Sequence, residues 1–288
     1  MRWLMSQHKE QQGFVTFAQN TDSVDYLKLA YVQAMNIKLT QKINKYAVIV
    51  DKKTAALVTD QHRQVFDYII ELTDDCSTEF SRFANEWQVF HLTPFKETIK
   101  VESDLLFTRS IDHWWDTFRL RDVVLSTGCK NYLGENSKDR RYRQFFDDND
   151  LPDVYNGLMY FRYSNHAAIF FAKAKAVFEN WQSLTDLVLK NCREDSPSTD
   201  VLYAVTSLLT DPTLSALPSA DFINFAHMKP GINGWSDAAA WNESVLTERS
   251  QDMIRVNHIN QYSPVHYFVK EYVTDTMVKE YELRSGIN

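Results

Sequence analysis

Glycine and proline are scarce in this chain of 288 residues, seven of each. That leaves little material for long flexible linkers. The cysteines Cys76, Cys129 and Cys192 are odd in number and far apart. Such spacing argues against a disulfide framework or a cysteine-rich zinc site and fits a reducing cytoplasm. Positive charge is in deficit: the net charge is −7. A protein that grips nucleic acid through its phosphates is usually basic, so at most a local basic patch is expected. No run approaches the roughly 18 apolar residues of a membrane helix. The opening "MRWLMSQHKEQQ" has no apolar stretch fit for a signal peptide. The sequon Asn242-Glu243-Ser244 therefore carries little weight. Also missing are the glycine cradles G-x-G-x-x-G and G-x-x-x-x-G-K and the catalytic motifs H-E-x-x-H and G-x-S-x-G. "HKE" at 8–10 imitates the start of a zinc deaminase signature, but no P-C-x-x-C follows. A nucleotide here would have to be held another way, and a divalent metal fixed by carboxylates is one.

What is present reads as α/β. "GFVTFAQN" (13–20), "KYAVIVD" (45–51) and "VFDYIIEL" (65–72) have the character of strands. Between the first two, "VDYLKLAYVQAMNIKLTQ" repeats apolar residues at helical spacing. "ALVTDQHRQ" predicts a short helix and "STEFSRFANEWQVFHLT" a longer one. This alternation predicts a parallel sheet with helices on both faces, whose ligands bind outside the carboxyl ends of the strands. Further on, "DVVLSTGCKNYLGE" predicts a strand and turn, and "VYNGLMYFRYS" a strand. "AAIFFAKAKAVFENWQSL" and the segment after Thr199-Asp200 predict helices, and "KDRRYRQFFDDNDLPD" a charged loop. "FINFAHMKPGINGWSD" predicts a strand running into a Gly/Pro loop. Trp114 and Trp115 are expected in the core.

"TIKVESDLLF" (98–107) poses the chemical question, because Glu102 and Asp104 interrupt an apolar strand. Residues i and i+2 of a strand share a face, so at a strand end the two carboxylates can converge on one hard cation, Mn²⁺ or Mg²⁺. Acid pairs also occur as solvated turns, and the neighbouring sequence separates the two readings.

"LTPFKETIKVESDLLFTRSIDHWWD" (92–116) resembles the stretch around the metal-binding D-x-D motif of GT-A-fold glycosyltransferases, above all the glycogenin-like family 8. Other landmarks follow in order: the opening strand and helix, "VYNGLMYF", "STDVLYAV" and "NFAHMKPGINGW". The chain also resembles uncharacterised glycosyltransferase-like proteins of tailed phages. The resemblance implies a Rossmann-like, mixed but mostly parallel sheet flanked by helices, in one domain of residues 1–288. About residues 1–116 would bind the donor and about 117–288 the acceptor. It implies a glycosyltransferase using a nucleotide-diphosphate sugar, UDP-linked, with Mn²⁺ or Mg²⁺. Glu102, Asp104 and His227 would hold the metal, with Glu standing where the family has its first Asp. Thr16, Phe17, Ala18 and Asp51 would receive the nucleotide, Asn156 and Gly157 would lie beside the sugar, and Asp200 would act on it. Lys229 would meet phosphate, although it follows His227 by two residues rather than several. His258 and His266 are weaker candidates for the metal, and a structural role is preferred for both. The implied location is the cytoplasm, the host's if the chain is phage-encoded. One acceptor compatible with a phage source is a hydroxymethylated base of DNA, which Arg140, Arg141 and Arg143 with Tyr142 and Phe145 would contact; a protein or glycan acceptor is equally compatible. The contrasting reading is a non-catalytic relative that kept the fold. A nucleotidyltransferase would need a glycine-rich loop that "FAQNTDSVD" lacks.

Overall fold

The computed structural model describes residues 10–78, 83–137, 140–192, 194–210, 215–216, 223–229 and 247–287, without the side chains of 140–142 and 215–216. The sequon at Asn242, the residues "HK" at 8–9, the "GINGW" loop and the side chains of Arg140, Arg141 and Tyr142 lie outside the described residues.

The first half alternates as its pattern demands. Strands β1 (Glu10–Ala18), β2 (Tyr46–Val50) and β3 (Tyr68–Glu71) are parallel. They are joined by α1 (Tyr26–Thr40), α2 (Lys52–Ala55) and α3 (Asp60–Val65). After α4 (Val89–Leu92), β4 (Phe95–Val101) adds parallel to the other side of β1. β5 (Leu105–Leu106), α5 (Trp114–Phe118), β6 (Val123–Thr127), β7 (Cys129–Lys130) and β8 (Asn136–Ser137) follow. Then come α6 (Arg140–Asp148), β9 (Val154–Arg162), α7 (Asn165–Glu179), α8 (Trp181–Leu187) and α9 (Thr199–Leu209). The last elements are β10 (Ser215–Ala216), β11 (Ala226–His227), β12 (Thr247–Ser250), β13 (Met253–Val256), β14 (Ile259–Gln261), β15 (Val265–His266) and α10 (Asp275–Ser285).

The main sheet has seven strands in the order β10-β6-β9-β4-β1-β2-β3, with β9 antiparallel to both its neighbours. It is thus a mixed, mostly parallel sheet flanked by helices, the fold class expected. Alternation along the strands builds two cores. Phe14 and Val48 join one with α1, α5 and α10. Val15, Ala47 and Ile49 join the other with α7 and α9. Trp114 and Trp115 are buried in the first core, as expected. A second sheet, β5-β15-β11-β7-β8, and a third, β12-β13-β14, complete the molecule.

Three expectations are corrected. "STEFSRFANEWQVFHLT" forms, in its described part, one tight turn at Glu86–Gln88 and the short α4 rather than a long helix. The charged loop is α6, because Arg143 and Phe146, three residues apart, bury one helical face. The run "TIKVESDLLF" is not one strand. β4 stops at Val101, the acids form a turn, and β5 enters the other sheet.

Candidate active site

The acid turn lies at the carboxyl end of β4, where the chain passes from one sheet to the next. Leaving both sheets strips its backbone of regular partners, and buried peptide groups must find others. The Leu105 amide donates to the Glu102 carbonyl at 3.1 Å, and the Glu102 amide donates to the Gly157 carbonyl of β9 at 3.1 Å. The Asp104 carbonyl accepts from the Tyr267 amide at 3.0 Å. Gln33, buried on α1, donates to the Glu102 and Leu105 carbonyls, both at 2.6 Å. Asn36, one turn along, holds both peptide groups of Phe107. The polar residues inside α1 therefore exist to fasten this turn.

On that frame the two carboxylates meet a histidine. His266 Nε2 of β15 lies 3.0 Å from Asp104 Oδ2 and 3.2 Å from Glu102 Oε2. The Lys270 ammonium pairs with the same Asp104 oxygen. The His227 ring stacks on His266, with centroids 4.5 Å apart and planes 6° from parallel. Burial would push the Asp104 carboxyl up, but the adjacent His266 and Lys270 charges outweigh it and hold the carboxyl well below its usual range. Burial raises Glu102 against the opposing pull of His266. Burial disfavours the His266 cation, yet Asp104 and Glu102 overcome it and shift that histidine upward. His227 is pushed well down by burial and by the His266 and Lys229 charges. The stack therefore joins an imidazole whose cation the acids favour to one whose cation burial disfavours.

One ligand atom from each of Glu102, Asp104 and His266 lies within 4.8 Å of the others. Two hard oxygens and an imidazole nitrogen suit Mn²⁺ or Mg²⁺. The Lys270 ammonium supplies a countercharge to Asp104 beside this group. His227, expected as the third ligand, lines the same cavity and stacks on His266, whose ring nitrogen is the one that groups with the acids. His266, the weaker candidate in the sequence, is the histidine that meets the acids.

The cluster opens onto a cavity of about 820 Å³. Thr16, Phe17, Asp51, Glu102, Asp104, Asn156, Gly157, Asp200, His227 and Lys229 all line it. The exception among the expected residues is Ala18, which is fully buried in the core. The Thr16 hydroxyl donates to the Val101 carbonyl at 2.7 Å, tying β1 to the end of β4. Asp51 caps α2 by accepting the Thr54 amide at 2.6 Å. Asp200, in the first turn of α9, accepts the Asn156 amide at 2.6 Å and the Arg143 guanidinium at 2.9 Å. Arg143 is fully buried, 3.4 Å from the Tyr155 ring centroid and 4.1 Å from that of Phe146. It is an internal strut, which corrects its expected place on an acceptor-contacting face. Lys270 and Phe268 also line the cavity and were not singled out from the sequence. The only signal was "VHYFVK", a histidine four residues before a lysine.

No family model matches the chain, and no curated protein does. Among solved structures the chain is similar to mouse xyloside xylosyltransferase 1 in its apo form, at 9% identity over 76% of this chain and 88% of that one, TM-score 0.49. It is similar to an active-site mutant of LgtC at 10% identity over 95% of each chain, TM-score 0.49. It is also similar to the apo WbbM bifunctional glycosyltransferase at 10% identity over 76% of this chain and 40% of that one, TM-score 0.48. Likeness at this level transfers no activity to the chain. Among the described residues no helix is long and apolar enough to cross a membrane.

Proposed function

We propose that the chain is a metal-dependent glycosyltransferase that takes its sugar from a nucleotide-diphosphate donor, UDP-linked in the simplest case. The observation that carries this reading is the convergence of landmarks from Thr16 to Lys229 on one cavity whose wall holds Glu102, Asp104 and His266 together. Glu102, Asp104 and His266 would hold Mn²⁺ or Mg²⁺, which when bound neutralises a diphosphate and helps it leave. Lys270, beside Asp104, and Lys229 add fixed positive charge where the leaving group gathers negative charge. Thr16, Phe17 and Asp51 form the nucleotide end of the cavity. Asn156, Gly157 and Asp200 form the sugar end, Asp200 keeping the β9 backbone and Arg143 in place while facing a sugar hydroxyl. About residues 1–116 supply the nucleotide end, and about 117–288 add the sugar end and the acceptor surface.

The acceptor is a hydroxyl-bearing molecule. A hydroxymethylated base of phage DNA stays within that class, but Arg143 no longer supports it, being buried against Asp200. Calorimetry with UDP, GDP, ADP and dTDP and their sugar conjugates, with and without Mn²⁺, tests the reading. Binding that needs the metal supports it, and no binding of any nucleotide in either condition defeats it.

A further inference from the structure

Lys270 makes a contact with the acid turn that a metal site does not require. Its ammonium bonds Asp104 Oδ2, the same oxygen that lies 3.0 Å from His266 Nε2. That oxygen is claimed twice, once by the histidine that would share a divalent ion with it and once by a lysine. An ion shared by Asp104 Oδ2 and His266 Nε2 would lie about 2.1 Å from the oxygen. It would then stand within about 5 Å of the bonded ammonium, a separation at which two cations repel strongly in a buried site. The bonded position of Lys270 and such an ion exclude each other.

A straight chain would not bring Lys270 to Asp104. His266 closes β15, and Lys270 opens a separate turn, Lys270–Tyr272, four residues on. Four extended residues would carry it about 13 Å away. Instead the backbone reverses at Phe268, where φ is +60°. The Val269 amide donates to the Tyr267 carbonyl at 2.6 Å, closing a three-residue turn around Phe268, and the Tyr267 amide donates to the Asp104 carbonyl at 3.0 Å. A three-residue turn with a positive central φ is rare and strained, the more so at a bulky residue. Such strain persists only where surrounding contacts enforce it, and it gathers at ligand sites. The Phe268 ring centroid lies 5.1 Å from the Lys270 ammonium and adds to its hold.

The lysine also has room to leave. Its side chain lines the cavity and is 23% exposed. The Lys100 side chain, 1% exposed and 2.8 Å from Glu86, shows the contrasting case of a lysine sealed into its ion pair. We propose that Lys270 is an internal competitor of the divalent ion: its ammonium neutralises Asp104 Oδ2 and must swing off it into the cavity before that oxygen can serve an ion. This rests on the metal site of the proposed function and goes further by making metal entry an exchange of one cation for another. The turn at Phe268 keeps the competitor within reach, and the metal affinity of the chain is held down by it.

The test measures Mn²⁺ affinity by electron paramagnetic resonance, and melting temperature by calorimetry with and without Mn²⁺. Full-length wild type is set against Lys270→Met, which keeps the volume and removes the charge, and against Lys270→Arg. Lys270→Met should bind Mn²⁺ about tenfold more tightly than wild type. Its melting temperature should fall without the ion and match the wild type at saturating ion, because the bond it lacks is one that wild type makes only without the ion. Lys270→Arg keeps a permanent cation and should bind Mn²⁺ within about threefold of wild type. Unchanged or weaker Mn²⁺ binding by Lys270→Met, or a melting temperature lowered equally in both conditions, would make Lys270 a fixed countercharge and overturn the inference while leaving the proposed function standing. Failure of both wild type and Lys270→Met to bind Mn²⁺ would instead bring down the metal site, and the proposed function and this inference with it.

Discussion

Asp104 is the point at which the buried charges of the cavity meet. It faces Glu102 across His266, and Lys270 pairs with it directly. Replacing it with Asn keeps its shape and removes its charge. Asp104→Asn should lower Mn²⁺ affinity on the order of 100-fold, read by manganese titration with electron paramagnetic resonance. His266→Ala should do the same. His227→Ala should change affinity much less, because its ring stacks on His266 and is not among the three grouped ligand atoms. Equal losses for the two histidines would contradict the assignment of His266 as the third ligand. The acids were legible in the sequence because they break an apolar run. His266 was not, since it lies 162 residues beyond Asp104 on a two-residue strand with no periodic pattern. Its place is set by the antiparallel pairing of β15 with β5, which no local signal announces. Arg143 was misplaced for a related reason. Three charged neighbours and a tyrosine suggest a solvated loop, whereas helical spacing turns Arg143 inward with Phe146.

Among the elements, α1 and β9 position the turn that carries the acids. α1 buries Gln33, whose amide bridges two carbonyls of the acid turn while its oxygen accepts from the Tyr46 hydroxyl at 2.7 Å. Gln33→Leu leaves these groups unpaired and should cost about 2–4 kcal/mol in urea denaturation. It should also weaken Mn²⁺ binding without touching a ligand. A variant with unchanged stability would show that the turn holds itself. β9 supplies Gly157, where a Cβ would lie 2.7 Å from the Phe225 ring, inside contact distance. Gly157→Ala should therefore destabilise the fold by about 1–3 kcal/mol. Phe225→Leu in the same chain should recover part of that loss, and failure of the rescue would locate the strain elsewhere. The helices α1 and α7 were readable from periodicity, α9 from its Thr199-Asp200 start and β9 from its apolar run. The two-residue strands of the second sheet were not, because a strand that short has no period to detect. The acid turn was read as strand because Leu105 and Leu106 continue the apolar run into a different sheet.

Across the whole molecule, the proposed function asks a chain with net charge −7 to bind an anionic diphosphate. It can do so only where positive charge is concentrated. Lys229, Lys270 and the raised His266 all border the same cavity, at the carboxyl ends of the parallel strands. The parallel strands of the sheet were readable because their β-α alternation is local, while the convergence of distant residues on a single cavity follows only from the fold. The most direct measurement is the binding of UDP and its competitor diphosphates, by calorimetry, with manganese present and absent and in Asp104→Asn. The prediction is that at least one diphosphate binds the wild type with manganese, binds at least tenfold more weakly without it, and gains nothing from manganese in Asp104→Asn. Binding that ignores both the metal and Asp104, or no binding at all, would contradict the central claim.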